Sequence, residues 1–511
     1  MVFMSQLGAI IPQMQQAEFY PHSATDKIEL IQTHVSAVFL TGDYAYKLKK
    51  EVNFGFLDYS TLAKRKHFLE EEIRMNNAIA PELYLEVVPI TKDGEQFALD
   101  GTGKAVEYAL KMRQFPQENL FINLFEAGKL DIEQISKLGK IVAQFHKEAA
   151  TNEYISSFGA ASKIREAFDE NYQQTEGYID RAQTQEQLTE TKAYTDKFFA
   201  ERKELFNERI TNNKIKECHG DLHLKNICLW QDKIQLFDRI EFNEPFRFVD
   251  VMYDVAFVMM DLEAKEKPDF ANAFLNTYLE QTADYEGLPL LPLYLSRQAY
   301  VRAKVTSFLL DDPNVPETEK QKAQITAANY YKQAWEYTQN REGKLILMSG
   351  LSGAGKSTVA KTLARKQGAI HLRSDAIRKQ IAGIAVEEKG SSDLYSSEMS
   401  QKTYNRLSQL GVMLAKEGFT VILDGKYDRV AYRQQVIEAA NNNDIPLQII
   451  NCTAPVEVLR DRLDNRTGDI SDATADLLES QQANAEDFTD EEKAYVTTVD
   501  TSQEDWESKL N

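Results

Sequence analysis

Cysteine is scarce in this 511-residue chain: Cys218, Cys228 and Cys452 are the only three, odd in number and far apart. That excludes a disulfide framework and offers no zinc-ligand spacing, so a reducing compartment is expected. Positive charge is in deficit, with 59 Lys and Arg against 79 Asp and Glu and a net charge of -20. A broad nucleic-acid-binding face is therefore not expected, because phosphate backbones are held mainly by Lys and Arg. Long apolar runs are missing too. None reaches the roughly 20 residues that cross a bilayer, and residues 1–16 have neither a basic leader nor a long apolar core. No membrane span and no secretory signal are expected. Internal repeats and low-complexity tracts are absent as well.

What is there is globular. Hydrophobic residues at 43% and charged residues at 27% argue for a folded chain rather than a disordered one. The length exceeds what a single core supports and points to two or three domains. Residues 37–40 and 44–49 read as strands joined by the Gly42-Asp43 turn. Residues 61–79 follow as a helix ended by Pro81, and 83–90 and 105–112 as further strands. After Phe115 the pattern turns helical. Residues 131–149 form an amphipathic helix, 162–212 a long, polar, helix-prone stretch, and 227–230 and 234–237 short strands. The pattern resets at residues 339–343. Beyond it, the apolar segments 344–348, 370–372, 420–423 and 447–451 alternate with helical ones, as in a parallel sheet covered by helices. The expected division is 1–340, with a small strand-rich lobe to about residue 112 and a helical lobe over 113–340, then 341–511.

Gly350-Leu351-Ser352-Gly353-Ala354-Gly355-Lys356-Ser357 fits the P-loop pattern in full, between an apolar strand and a helix expected from Ser357. Its glycines let backbone N–H groups turn inward around phosphate oxygens. Lys356 would reach the β- and γ-phosphates, and the Ser357 hydroxyl would ligate Mg²⁺. The expected nucleotide-binding set is Gly350, Ser352, Gly353, Ala354, Gly355, Lys356, Ser357 and Thr358. A P-loop alone does not choose among kinase, GTPase and motor ATPase. Ser374-Asp375-Ala376-Ile377-Arg378 follows the second strand, where strand ends face the ligand crevice. Asp375 could take the proton of an acceptor hydroxyl and Arg378 could stabilise the transferring group; a plain helix cap is the simpler alternative. Asp424 ends the 420–423 run and suits a metal-binding carboxylate or an acceptor-binding one. Arg460, Arg462 and Arg466 lie on a charged helix that could form a lid over the phosphates, or a solvated surface paired with Asp461 and Asp464.

On these residues the segment 344–511 resembles the small P-loop kinases grouped with zeta-toxin, gluconate and polynucleotide kinases. The resemblance rests on residues 350–357, the Ser374-Asp375-x-x-Arg378 segment, Asp424, Arg462 and Arg466. It implies phosphorylation of a hydroxyl on a small molecule or polynucleotide end, with Asp375 as the acceptor-activating residue.

A second constellation is His219-Gly220-Asp221-Leu222-His223-Leu224-Lys225-Asn226-Ile227, with Asp238 ending the strand that follows. A spacing of five lets one loop present the Asp221 carboxylate to an acceptor and the Asn226 amide oxygen to a metal, and Asp238 is placed as a further metal ligand. Such a site needs a lysine on the phosphates and a carboxylate to hold it. Lys47 and Glu72 are the candidates, with Lys49, Lys50, Glu70 and Glu71 as neighbouring alternatives. His219 and His223 read as loop-holding groups rather than metal ligands. The stretch 22–340 resembles the aminoglycoside phosphotransferase-like branch of the protein-kinase fold, on residues 219–227, Asp238 and Arg247-Phe248-Val249-Asp250-Val251-Met252-Tyr253-Asp254-Val255-Ala256. The resemblance implies that Asp221 activates the acceptor and that Asn226 and Asp238 bind Mg²⁺, with Asp254 structural and adenine near residues 108–113. The chain departs from protein kinases: no G-x-G-x-x-G precedes Lys47, which leaves residues 32–36 to cover the phosphates, and Arg239-Ile240 follows Asp238.

The whole chain resembles bacterial fusions of these two kinds of domain. The expected fold is an α+β protein-kinase-like bilobal unit followed by an α/β P-loop NTPase unit with a parallel sheet. The expected function is cytoplasmic phosphotransfer from ATP, with Mg²⁺, to a hydroxyl of a small molecule. Nucleic acid enters only as a 5′-hydroxyl substrate. The other readings are one active kinase beside a regulatory nucleotide-binding unit, a toxin-like, nucleotide or polynucleotide kinase, and a non-catalytic ATP-dependent switch.

Overall fold

The computed structural model describes residues 6–466 and 468–510; residues 1–5, part of the segment read for a leader, lie outside them. By its internal contacts the chain forms two compact units. The first comprises Met1–Asp131, Glu148–Asp169 and Phe199–Asp261, the second Ile132–Lys147, Glu170–Phe198 and Leu262–Asn511. The pattern change near residue 340 falls inside the second unit, which holds the helices from residue 262 onward together with the P-loop sheet.

The first unit is built on an antiparallel sheet of β1 (Glu29–Gln32), β2 (Ser36–Leu40), β3 (Tyr44–Lys49), β4 (Tyr84–Asp93), β5 (Gln96–Leu99) and β6 (Lys104–Arg113), in the order β1-β2-β3-β6-β4-β5. The expected β2–β3 hairpin is present, and Gly42 takes a positive φ in its turn. β1 and β5 were not expected, being short and half-polar. Alternation along β3 sets its chemistry. Tyr46 and Leu48 enter a core with Leu7, Ile10, Met14 and Phe39, so Lys47 and Lys49 take the opposite face. The helix Leu62–Asn76, N-capped by Thr61, buries Glu72 completely. Two small ribbons complete the unit's strands: β7 (Ile215–Glu217) pairs with β10 (Phe248–Asp250), and β8 (Ile227–Trp230) with β9 (Lys233–Leu236). The stretch 162–212, expected to be helical throughout, is broken into Ala161–Thr175, Gln185–Glu201 and Lys203–Thr211. Asp180 takes a positive φ in the first break, a local turn that residue composition does not signal.

The second unit contains a fully parallel sheet: β11 (Lys344–Ser349), β12 (Ile370–Arg373), β13 (Thr420–Asp424), β14 (Leu447–Thr453) and β15 (Val496–Asp500), in the order β12-β13-β11-β14-β15. Leu345 to Ser349 are buried without interruption, as expected of a strand covered on both faces. β15 was not expected, because its threonines dilute the apolar signal. The P-loop helix Lys356–Gln367 starts one residue before the expected Ser357. Among the described residues no helix is long and apolar enough to cross a membrane.

Candidate functional site

In the first unit the structure brings Lys47, Glu72 and Asp238 together. Lys47 Nζ lies 2.7 Å from Glu72 Oε1 and 2.6 Å from Asp238 Oδ1. Glu72 Oε2 is held 2.9 Å from Lys49 Nζ, and Lys49 in turn pairs with Glu241, which also accepts from the Tyr59 hydroxyl. Burial alone would raise the Glu72 pKa, but the two ammonium groups prevail and hold it below the usual carboxylate range. Burial likewise disfavours the Lys47 charge, yet Asp238 and Glu72 keep it well above an ordinary lysine. Sequence reasoning named Lys49 only as an alternative to Lys47. Residues two apart on a strand share a face, and both lysines use the one carboxylate. Glu241 and Tyr59 were missed, since no fixed spacing ties them to β3.

The loop 219–227 is anchored by carboxylates of the following helix, Val251–Glu263. Asp254 accepts from the His219 and Gly220 backbone N–H groups at 2.7 and 2.9 Å, and Asp261 from Leu224 N at 2.9 Å. His219 Nε2 lies 2.9 Å from the Phe237 carbonyl, and its Nδ1 accepts from Asp221 N at 3.3 Å. Those two contacts fit the neutral imidazole with its proton on Nε2, and burial lowers the His219 pKa to about 4. Gly220 has φ +85°, and a Cβ there would stand 2.6 Å from the Phe246 carbonyl oxygen. Asn226 Nδ2 donates to Asp221 O and Oδ2 at 2.9 and 3.0 Å, so Asn226 Oδ1 is the atom left to face a cation. Phe237 N donates to Asn226 O at 3.1 Å, which sets the next residue, Asp238, beside this loop. Asp238 has φ +63°, and its N–H donates to the Tyr84 hydroxyl at 2.9 Å. Of residues 32–36, expected to cover phosphates, Gln32 ends β1, Ser36 begins β2 and 33–35 form the turn between them.

In the second unit three neighbouring parallel strands converge at their C-terminal ends. In register, Asp424 at the end of β13 lies opposite Met348 of β11 and Arg373 of β12. β11 leads into the P-loop and β12 into Ser374 and Asp375. Gly350, Gly353 and Gly355 all have positive φ. A Cβ on Gly350 would stand 2.3 Å from the Cys452 carbonyl oxygen, so glycine is required there by both backbone and space. Ser357 and Thr358 lie in the first turn of the Lys356–Gln367 helix, whose N-terminus points its N–H groups at the loop. Lys356 Nζ donates to the Leu351 carbonyl at 2.8 Å, and burial lowers its pKa. The Ser352 N–H donates to Gln481 Oε1 and the Ala354 carbonyl accepts from the Thr501 hydroxyl.

Asp424 Oδ2 lies 2.9 Å from His371 Nε2. Burial would raise its pKa, but the His371 hydrogen bond, with the nearby cations, brings it down to about 2. Asp375, in the first turn of the helix Ser374–Ala382, goes the other way: burial raises it, against Arg373, Arg378 and a Ser471 hydrogen bond. Two carboxylates in one site are thereby driven apart in proton affinity. Arg378 Nη1 donates to the Leu394 carbonyl and Ser400 Oγ, both at 3.2 Å. Arg462 donates to the Gly353 carbonyl and to both oxygens of Thr501, and Arg466 to the Ala473 carbonyl. In this arrangement Arg462 braces the P-loop, and Arg466 is held by the Ala473 carbonyl. His371 and the Asp469–Asp472 segment were missed. Their partners, Asp424, Arg373 and Tyr395, are far away along the chain.

The sequence model of a family described as an AAA domain matches residues 345–488. Two uncharacterized proteins, one of Mycobacterium bovis and one of Mycobacterium tuberculosis, are each 28% identical over 474 residues, covering 91% of this chain and 92% of the relative. Among solved structures, a gluconokinase from Sinorhizobium meliloti 1021 is 22% identical with a TM-score of 0.25, covering 34% of this chain and 89% of that one. A Mycobacterium tuberculosis APS kinase in complex with AMPPNP and APS is 20% identical with a TM-score of 0.24, covering 33% and 95%. The C-terminal part is a P-loop domain built on a parallel sheet. The family match lies wholly within the second unit, so the reading of the first rests on its own geometry.

Proposed function

We propose that the chain is an ATP- and Mg²⁺-dependent phosphotransferase with two kinase-like units, each transferring the γ-phosphate to a hydroxyl of a small molecule. One observation carries the reading for the second unit: the ends of β11, β12 and β13 gather Lys356, Asp375 and Asp424 beside a full P-loop. Lys356 would neutralise β- and γ-phosphate oxygens. Asp375, with its raised pKa, would take the acceptor proton as that oxygen bonds to the γ-phosphorus and ADP leaves. The donor set suits a hard cation. Asp424 spends one oxygen on His371 and keeps the other, and Ser357 and Asp424 would hold Mg²⁺, which screens phosphate charge when bound.

For the first unit the supporting observation is the chain Glu72–Lys47–Asp238 beside the Asp221–Asn226 pair. Lys47, fixed by Glu72, would bind the phosphates, Asn226 and Asp238 would hold Mg²⁺, and Asp221 would accept the acceptor proton. This is an aminoglycoside phosphotransferase-like reading of the site. Three buried free thiols fit a cytoplasmic location.

The test is ADP release by the whole chain with a panel of sugars, aminoglycosides, nucleosides and 5′-hydroxyl oligonucleotides, for wild type, Asp221→Asn and Lys356→Ala. An acceptor whose stimulation is lost in one variant identifies the active unit. If no acceptor stimulates ADP release and both variants match wild type while ATP still binds, the proposal fails in favour of a nucleotide-dependent switch.

A further inference from the structure

β12 is an edge strand, paired only with β13 among the described strands. An uncovered parallel edge exposes backbone donors and acceptors that must be satisfied. Here a helix does it with side chains. Asn276, on the helix Pro268–Thr282, donates from Nδ2 to the Ala369 carbonyl at 3.0 Å and accepts from His371 N at 2.7 Å. Its amide thus reproduces what a neighbouring strand's peptide group would offer. Asn272, one turn earlier, donates to the same Ala369 carbonyl at 3.0 Å and is buried. One turn later, Glu280 lies 3.2 Å from Arg373 Nη1, and its carbonyl accepts from Gln380 Nε2 at 2.9 Å. The stripe 272, 276, 280 advances about 6 Å per step along a helix, and 369, 371, 373 about 6.6 Å per step along a strand. The two rows therefore stay in register.

Each contact leads into the P-loop site. The backbone of His371 is fixed by Asn276, and its side chain binds Asp424. Arg373, with its side chain buried, joins Glu280 on one side and Asp469 on the other, at 2.7 Å. Asp469 also accepts from Ser471 N at 2.9 Å, and Ser471 lies close enough to Asp375 to oppose the rise in its pKa. Lys379 donates to the Ile470 carbonyl at 2.8 Å, so the 469–472 segment is held at three points.

We infer that Asn276 and Glu280 are positioning residues of the P-loop site: Asn276 aligns β12 and the His371 that holds Asp424, and Glu280 aligns Arg373 and, through it, the 469–472 segment beside Asp375. The inference rests on the phosphotransfer reading of the second unit. It makes a helix well before the P-loop part of that site's machinery.

The experiment uses full-length protein carrying Asp221→Asn, so that the Lys356-dependent part of MgATP turnover reports the second unit. Glu280→Gln, close in shape, lowers kcat of that part about tenfold with KM for ATP changed less than about twofold, and Glu280→Asp recovers much of it. Asn276→Asp, which turns a carboxylate against the Ala369 carbonyl, acts in the same direction. By hydrogen exchange, Glu280→Gln speeds the 469–473 peptide about fivefold or more and leaves 350–357 unchanged. Unchanged kcat, or equal exchange in 469–473, overturns the inference. If Lys356→Ala removes no turnover even without the other changes, the phosphotransfer reading is what fails. Exchange then decides the positioning alone, faster exchange supporting it and equal exchange overturning it.

Discussion

Glu72 is shared by two ammonium groups and is itself fully buried. Without the Glu72 charge, Lys47 keeps only Asp238 and Lys49 only Glu241 as carboxylate partners, so the loss is that of charge-assisted hydrogen bonds rather than of a sole counter-ion. Glu72→Gln is therefore expected to destabilise the first unit by about 1.5–3 kcal/mol, read as a drop in the urea midpoint with unchanged slope. The two lysines should separate. Lys49 is 1% exposed and embedded with Glu241 and Tyr59, whereas Lys47 is 13% exposed and reaches Asp238. Lys49→Met should act mainly on stability, and Lys47→Met mainly on ATP binding by this unit, measured by calorimetric titration. His219 gives a pH prediction. Its folded pKa is about 4 against an ordinary 6.5, so below pH 6.5 the unfolded chain takes up a proton that the folded loop refuses. Stability should fall as pH drops from about 6.5 to about 4, by up to about 3 kcal/mol, and level off below that range for this group. His219→Gln should flatten that slope in denaturation curves recorded across the range.

Elements transmit these residue effects differently. The P-loop is a backbone device, and its glycines answer to space as much as to phosphate. Gly350→Ala would put a methyl group 2.3 Å from the Cys452 carbonyl oxygen at φ +134°, so a loss of about 2–3 kcal/mol is expected together with weaker nucleotide binding. A thermal melt with and without ATP would separate the two effects. Strong periodicity made β11, β13, β14 and the helix Ile132–Glu148 legible from sequence, because burial on both sheet faces or along one helix face leaves a pattern within a few residues. β1, β5 and β15 were not legible. Each is held by its neighbours in the sheet more than by its own composition. The break at residues 176–184 was hidden for the same reason: helix propensity is a weak prior that local turns override.

At the scale of the whole molecule, Asp221→Asn and Lys356→Ala lie in different compact units and act on different proposed chemistries. Their effects on ADP release should be independent, each removing its own acceptor-stimulated component and the double variant removing both. A single component lost in either variant alone would instead mean one catalytic site under control of the other nucleotide site.

The sequence by itself determined the local chemistry. The P-loop, the Asp221 to Asn226 spacing and the carboxylates at the ends of β9 and β13 are short-range patterns, set by what backbone and side chains can do within a few residues. The choice of Lys47 over its neighbours was left open there and became a shared clamp only in three dimensions. Tertiary structure alone decided that Lys49 and Glu241 join Glu72, that His371 lowers Asp424 while burial raises Asp375, and that Asn276 and Glu280 meet β12. Those pairings bridge 23 to 192 positions along the chain. At such separations packing of the whole unit, and no local spacing, determines which groups meet.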